Sequence, residues 1–260
     1  MHDGVCPIDD SGKCCGGPRV IACLPVHGRL PLLHQTVERL HKKNRVHKVI
    51  CSGDEREERI ICESLGAEWV QHRNRPLGQK WNAAFQAAEK HKPDACLFVG
   101  SSDFVSDNWI SELAPNIAEY DLIGTAGCFF LDIGDEMRLC YWPGYSNNRK
   151  GESIGIGRLI SSRVLNKLEW KPFDDHLDRS LDYSMQQKVL KVGGKLHLAS
   201  SEKIKSMSIS TDHWENKHQF VDHWNGELKS QKIYQVGDFL DYNFPEAKLI
   251  FNAVPHKQQS

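Results

Sequence analysis

The sequence predicts an α/β protein: a mostly parallel central sheet flanked by helices, followed by a smaller mixed C-terminal half. Three observations predict it. Short apolar runs alternate with helical periods from Arg19 to Tyr120, the rhythm of right-handed βαβ units. Three of these runs stop abruptly at small, polar or charged residues, at His27–Gly28–Arg29, Ser52–Gly53–Asp54 and Gly100–Ser101–Ser102–Asp103. After Asp121 the rhythm changes to strand-rich segments with longer connections.

Taken in order, Arg19–Leu24 is a continuous apolar run and reads as a strand buried on both faces. Leu33, Val37 and Leu40 recur at helical spacing, with Pro31 near the first turn. Val46–Cys51 is a second strand, and Glu55, Glu57 and Glu58 suit the N-terminus of the helix that follows it. Ile61 and Leu65 mark that helix's inner face, and Ala67–Gln71 is a third strand. Trp81, Phe85 and Ala88 share one face of the next helix, which reads as core. The fourth strand begins at Ala95 and runs into Gly100–Asp103; Trp109, Leu113 and Ile117 mark another helix. Beyond it, Asp121–Phe130 reads as one strand, with another in MRLCYW and a loop over Ser146–Gly157. Ser161–Leu168 and the Leu181, Met185, Val189 period read as helices, and Lys195–Ala199 as a strand after a Gly193–Gly194 turn.

Composition narrows the function classes. The chain has 260 residues, 40% apolar and 26% charged, which suits a protein with a sizeable core. A formal charge of −1 provides no global basic field for nucleic acid. No apolar run approaches the roughly 20 residues of a membrane span, and Met1–Gly17 lacks the apolar centre of a signal peptide. Five of the nine cysteines (Cys23, Cys51, Cys62, Cys96 and Cys128) lie in apolar runs and read as buried thiols. A reducing compartment, and so a cytoplasmic location, is expected. Cys6, Cys14 and Cys15 sit in a polar leader without paired CxxC spacing. The expected organisation is a leader over 1–18, one domain over 19–212, and a helical or irregular extension over 213–260 packed on it.

In a parallel sheet the three polar strand ends converge on one edge, where ligands bind. Small residues admit a ligand there, Arg29 supplies a fixed charge for phosphate, and a carboxylate such as Asp54 or Asp103 accepts from a nucleoside or holds a hard cation. The plain alternative is that these residues are ordinary turn formers, with Asp103 capping a strand end. Gly151–Arg158 carries three glycines but follows no clear strand. It reads as a loop closing over a ligand or as a hairpin connection, not as a dinucleotide fingerprint.

Three blocks carry a resemblance. RVIACLPVHGRLPLLHQTVERL resembles the opening strand, loop and helix of family 2-type glycosyltransferases with the GT-A fold. NRPLGQKWNAAFQAA resembles that family's Asn/Gly/Asn segment, and LFVGSSDFVSDNWI is similar to its strand–Asp-x-Asp–Trp block. The resemblance spans Arg19 to Asp212 and implies a GT-A-like, Rossmann-like sheet and transfer of a sugar from a nucleotide-sugar, a UDP-sugar foremost. It implies that Pro25, Val26, His27, Arg29, Ser52 and Asp54 hold the base and ribose, and that Lys80 and Asn82 contact ribose or diphosphate. Lys80 reads equally as a solvated helix face. Beside the resemblance, Ser101 and Ser102 leave room for the donor above the end of the fourth strand, and Arg158 in the Gly-rich loop is available for its phosphate.

Asp103, with His213, is the implied ligand set for Mn²⁺ or Mg²⁺ on the diphosphate. Gly100 and Ser102 occupy the usual acidic positions, so that set is thin. Asp182 matches the family's catalytic base, with Leu181 in place of the preceding Glu. The similarity extends to phage-type enzymes, which implies a hydroxymethylated DNA base as acceptor. A surface glycan, a lipid-linked sugar, or a nucleotide-sugar-binding protein without catalysis are the alternatives.

Overall fold

The computed structural model describes residues 17–133, 138–201, 203–210 and 236–253. Among them, two sheets form. The larger has seven strands in the order β10-β6-β9-β4-β1-β2-β3. Its centre is β1 (Val20–Pro25), parallel to β2 (Lys48–Gly53) on one side and to β4 (Ala95–Phe98) on the other. β3 (Glu68–Gln71) extends the β2 edge in parallel. The chain therefore crosses over β1 between β3 and β4, and β1/β4 is the point where strand order reverses.

Successive residues of β1 explain the layers. Val20, Ala22 and Leu24 join one core with α1 (Leu30–Lys42) and α2 (Arg56–Ser64), through Leu33, Val37, Leu40 and Cys62. Ile21 and Cys23 point the other way, onto α3 (Leu77–Glu89), where Trp81, Phe85 and Ala88 are all buried. Burial on both faces is why these strands are continuously apolar. The predicted inner face of α2 shifts: Cys62 and Glu58 are buried, whereas Ile61 and Leu65 are partly exposed.

The smaller sheet runs β5-β11-β7-β8. β5 (Asp103–Val105) follows β4 directly, so Asp103 opens a strand of the second sheet. α4 (Trp109–Leu113) tightens into a 3₁₀ turn over Ala114–Ala118, where Pro115 withholds a backbone donor.

The single strand expected over Asp121–Phe130 is two. β6 (Leu122–Thr125) belongs to the large sheet and β7 (Cys128–Asp132) to the small one. The chain changes sheets at Gly127, where a Cβ would lie 2.5 Å from the Tyr141 hydroxyl. β8 (Arg138–Trp142) pairs antiparallel with β7.

Two strands lie outside the sequence expectations. β9 (Arg158–Ser161) inserts antiparallel between β4 and β6, and β11 (Ser206–Ser210) pairs with β5 and β7. α5 (Ser162–Lys167), capped by the Ser161 hydroxyl, α6 (Leu181–Lys191) and β10 (Leu196–Ala199) lie where the periodicity predicts them.

α7 (Val236–Asn243) and α8 (Glu246–Ala253) cover the second sheet, with Leu240, Phe244 and Ala247 against Phe104, Phe129 and Met207. Arg39 of α1 ties this layer down. It is 3% exposed, donates to Val105 O at 2.9 Å and to Glu246 at 2.8 Å, and also pairs with Asp107. The cysteine-bearing leader and the segment holding His213 and Trp214 lie outside the described residues. No helix among the described residues is long and apolar enough to cross a membrane.

Candidate functional site

A cleft of about 500 Å³ opens at the carboxyl ends of β1 and β4. That is the strand-order reversal, where open α/β sheets bind ligands. The chain supplies its walls from several regions. The β1 end gives Pro25, Val26, His27 and Arg29, and the β4 end gives Ser101, Ser102 and Asp103. The second sheet gives Phe130, Trp142 and Ser208, and the start of α6 gives Asp182. Lys80 also reaches the cleft, so nine of the predicted site residues meet in one cavity. Ser52, Asp54, Asn82 and Arg158 are not among its lining residues.

The turn after β1 is shaped by its backbone. Gly28 and Arg29 both take left-handed φ values, 64° and 51°. The Gly28 N–H donates to Glu58 Oε1 at 2.5 Å, and Glu58 is 1% exposed. The sequence offered Glu58 only as one of three acids in a helix's first turn. Its buried role in holding this turn left no sequence signal.

Several polar residues of the implied donor site bond to the chain itself. Ser52 is buried and its hydroxyl donates to Lys80 O at 2.9 Å. Asp54 accepts the Asn74 N–H at 3.0 Å, shaping the loop before α3. Lys80 is fully buried, which corrects the solvated-face reading; its ammonium donates to Val26 O and, at 2.9 Å, to Asn74 Oδ1. Burial lowers the Lys80 pKa, while the Glu58 and Asp54 charges pull it back up.

Asn82 closes a pair of bonds with Phe173. Its Nδ2 donates to Phe173 O at 3.0 Å, and its Oδ1 accepts the Phe173 N–H at 3.0 Å. It also donates to Asp175 at 2.8 Å. Asn82 thus holds the chain that leads to α6, and its polar atoms serve that chain instead of the cleft. Asn82→Ala leaves a buried N–H without a partner. A loss of about 2 kcal/mol in unfolding free energy is expected, read as a lower urea midpoint.

Arg158 likewise departs from the expected phosphate role. It is fully buried on β9 and donates to the carbonyls of Ile154, at 2.7 Å, Asp182, at 2.6 Å, and Ser153. Burial brings its pKa down to about 10, against the opposing pull of the nearby Asp182 and Glu152 carboxylates. The Gly151–Gly157 segment is pinned by these bonds and by Ile154 N–H to Thr125 O at 2.8 Å. It is a fixed wall of the cleft.

Asp103 stands at the β4 end, where Gly100 makes room for it. A Cβ at Gly100 would lie 2.5 Å from Asp103 Oδ2, which instead accepts the Gly100 N–H at 3.0 Å. Burial raises the Asp103 pKa; the Ser208 hydroxyl, the Gly100 N–H and the Arg29 charge oppose that. Among the described residues, no three His, Cys, Asp or Glu side chains gather into a cation site. The described residues alone do not fit a divalent ion: Asp103 brings one carboxylate, already bonded to its own loop. His213 lies outside the described residues.

Asp182 sits in the first turn of α6, facing the same cleft. The Tyr145 hydroxyl donates to its Oδ2 at 2.5 Å, and Arg149 Nη2 lies 3.5 Å from that oxygen. A carboxylate beside an open cavity is a group of the kind that takes the proton of a bound hydroxyl.

No protein-family model and no curated protein matches the sequence. Solved structures do match. The mannosyltransferase PcManGT from Pyrobaculum calidifontis, in complex with GDP-Man and Mn²⁺, aligns over 91% of this chain and 69% of its own, with 11% identity and a TM-score of 0.54. Glucosyl-3-phosphoglycerate synthase from Mycobacterium tuberculosis aligns over 76% of this chain and 75% of its own, at 11% identity and a TM-score of 0.46. A CMP:2-keto-3-deoxy-manno-octonic acid synthetase complexed with CTP aligns over 74% of this chain and 91% of its own, at 9% identity and a TM-score of 0.44. At 11% identity the likeness to the mannosyltransferase is one of fold, and the fold is GT-A-like: a mostly parallel, helix-flanked sheet with its cleft at the β1/β4 strand ends.

Proposed function

We propose that this protein transfers a sugar from a nucleotide-sugar, a UDP-sugar first, to an acceptor hydroxyl. The observation that carries this reading is one cavity that joins the cationic β1 turn to the Asp182 carboxylate. The nucleotide lies against Val26–Arg29 and the loop before α3, with Arg29 near the diphosphate. The acceptor hydroxyl lies on Asp182. As its oxygen attacks the anomeric carbon, Asp182 takes the proton, and the sugar–phosphate bond breaks with its electrons leaving on the diphosphate. That displacement inverts the anomeric centre. The acceptor put forward is a hydroxymethylated DNA base. If a divalent ion accompanies the donor, Asp103 and His213 are the residues that would hold it, and it would offset the charge leaving on the diphosphate.

The test is a thermal-shift panel of UDP-glucose and GDP-mannose, each with and without Mn²⁺, on the wild type and Asp103→Ala. A ligand at 100 times its Kd adds about 2.7 kcal/mol of stability. A rise in melting temperature with one donor is expected, with the Mn²⁺-dependent part lost in the variant. Transfer to hydroxymethylated oligonucleotides is then measured. A shift without turnover supports a binding protein instead, and no shift with any donor removes the reading.

A further inference from the structure

Asp182 is held on one side only. Tyr145 takes its Oδ2 at 2.5 Å, with Arg149 and Arg158 guanidinium nitrogens 3.5 and 4.0 Å from the same oxygen. Its Oδ1 has no partner among the described residues. Tyr145 is itself clamped. The Arg149 guanidinium lies over its ring, 3.6 Å from the centroid, and Trp142 packs edge-on at 4.8 Å and 87°. Arg149 is fixed in turn by Glu152, which accepts from its Nε at 2.9 Å and lies 2.7 Å from Nη2. Glu152 is buried. A chain of contacts thus runs from a buried acid, through a stacked Arg–Tyr pair, to one oxygen of the carboxylate.

We propose that Tyr145, clamped by Arg149, is the positioning residue for Asp182: it occupies Oδ2 and leaves Oδ1 to receive the acceptor hydroxyl. The proposal deepens the transferase reading and rests on the role given there to Asp182. A carboxylate turns easily about its last side-chain bond. Fixing one oxygen on a donor therefore selects which oxygen meets the substrate. Tyr145 stays a donor in this arrangement. Burial and the adjoining Asp182 charge push its phenol well above the ordinary value, against the opposing Arg149 and Arg158 charges. The acceptor's proton goes to Asp182, and Tyr145 keeps its own.

Tyr145→Phe removes the hydroxyl and keeps the ring against Trp142 and Arg149. Crystal structures of wild type and variant, and kinetics of UDP-glucose and GDP-mannose consumption, test the proposal. The expected result is an Asp182 carboxylate that leaves its wild-type orientation, with Oδ2 no longer held at the place where it accepted the Tyr145 hydroxyl. Donor KM should be unchanged and kcat about 10- to 100-fold lower, the scale of a misplaced catalytic group. An Asp182 carboxylate that keeps its orientation in the variant overturns the proposal, as does an unchanged kcat. If the wild type consumes no donor, the transferase reading fails, and the carboxylate orientation alone decides the role of Tyr145.

Discussion

Asp182→Asn is expected to bind the nucleotide-sugar as the wild type does and to lose turnover by on the order of 10²- to 10⁴-fold. The substitution is nearly isosteric, and its amide oxygen still accepts the Tyr145 hydroxyl. The bond from Arg158 to the Asp182 backbone carbonyl, at 2.6 Å, does not involve the side chain. The first turn of α6 therefore stays in place. What disappears is the capacity to take a proton. Because the donor reading puts the nucleotide at Val26–Arg29 and the acceptor hydroxyl at Asp182, the thermal shift with donor is the control. A turnover equal to that of the wild type removes Asp182 as the base; a lost thermal shift puts Asp182 in the donor site instead.

Gly78→Ala is expected to cost about 3 kcal/mol of stability, the upper end for overpacking, and to lower turnover with it. Gly78 lies in the first turn of α3, where a Cβ would overlap the Asp174 carbonyl. The obstacle is a backbone carbonyl, so no side chain can swing aside. Two bonds tie the same place: Gly78 N–H to Leu177 O and Leu77 N–H to Asp178 Oδ1, both at 2.8 Å. The segment pushed away is the one that enters α6, only a few residues before Asp182. Urea unfolding and kcat read the two effects. An unchanged midpoint shows that the 174–178 segment yields without loss and that the glycine is not required there.

The sequence by itself determined the elements whose signal is local. β1, β2 and β4 are continuous apolar runs because both their faces are covered, and that pattern does not depend on which helix covers them. α3 and α6 show one buried face at helical spacing for the same reason. The polar strand ends at His27–Arg29 and Gly100–Asp103 were legible as one rim, because parallel strands put their carboxyl ends on one edge.

Tertiary structure decided the rest, and it did so through partners far along the chain. β9 carries no alternation, and the Ser–Met–Ser–Ile–Ser alternation of β11 names no partner; which strands each one joins is set by the assembled sheets. Lys80, Asn82 and Arg158 have the chemistry of ligand-binding groups, and nothing local marks them as anything else. Their buried donors answer to carbonyls 54, 91 and 24 residues away. A buried backbone carbonyl or N–H needs a partner, and only the assembled fold reveals which long polar side chain is near enough to supply it. The same holds for Tyr145, 37 residues from the carboxylate it holds. Residue type announced what these side chains can do; which atom each one meets was settled by packing.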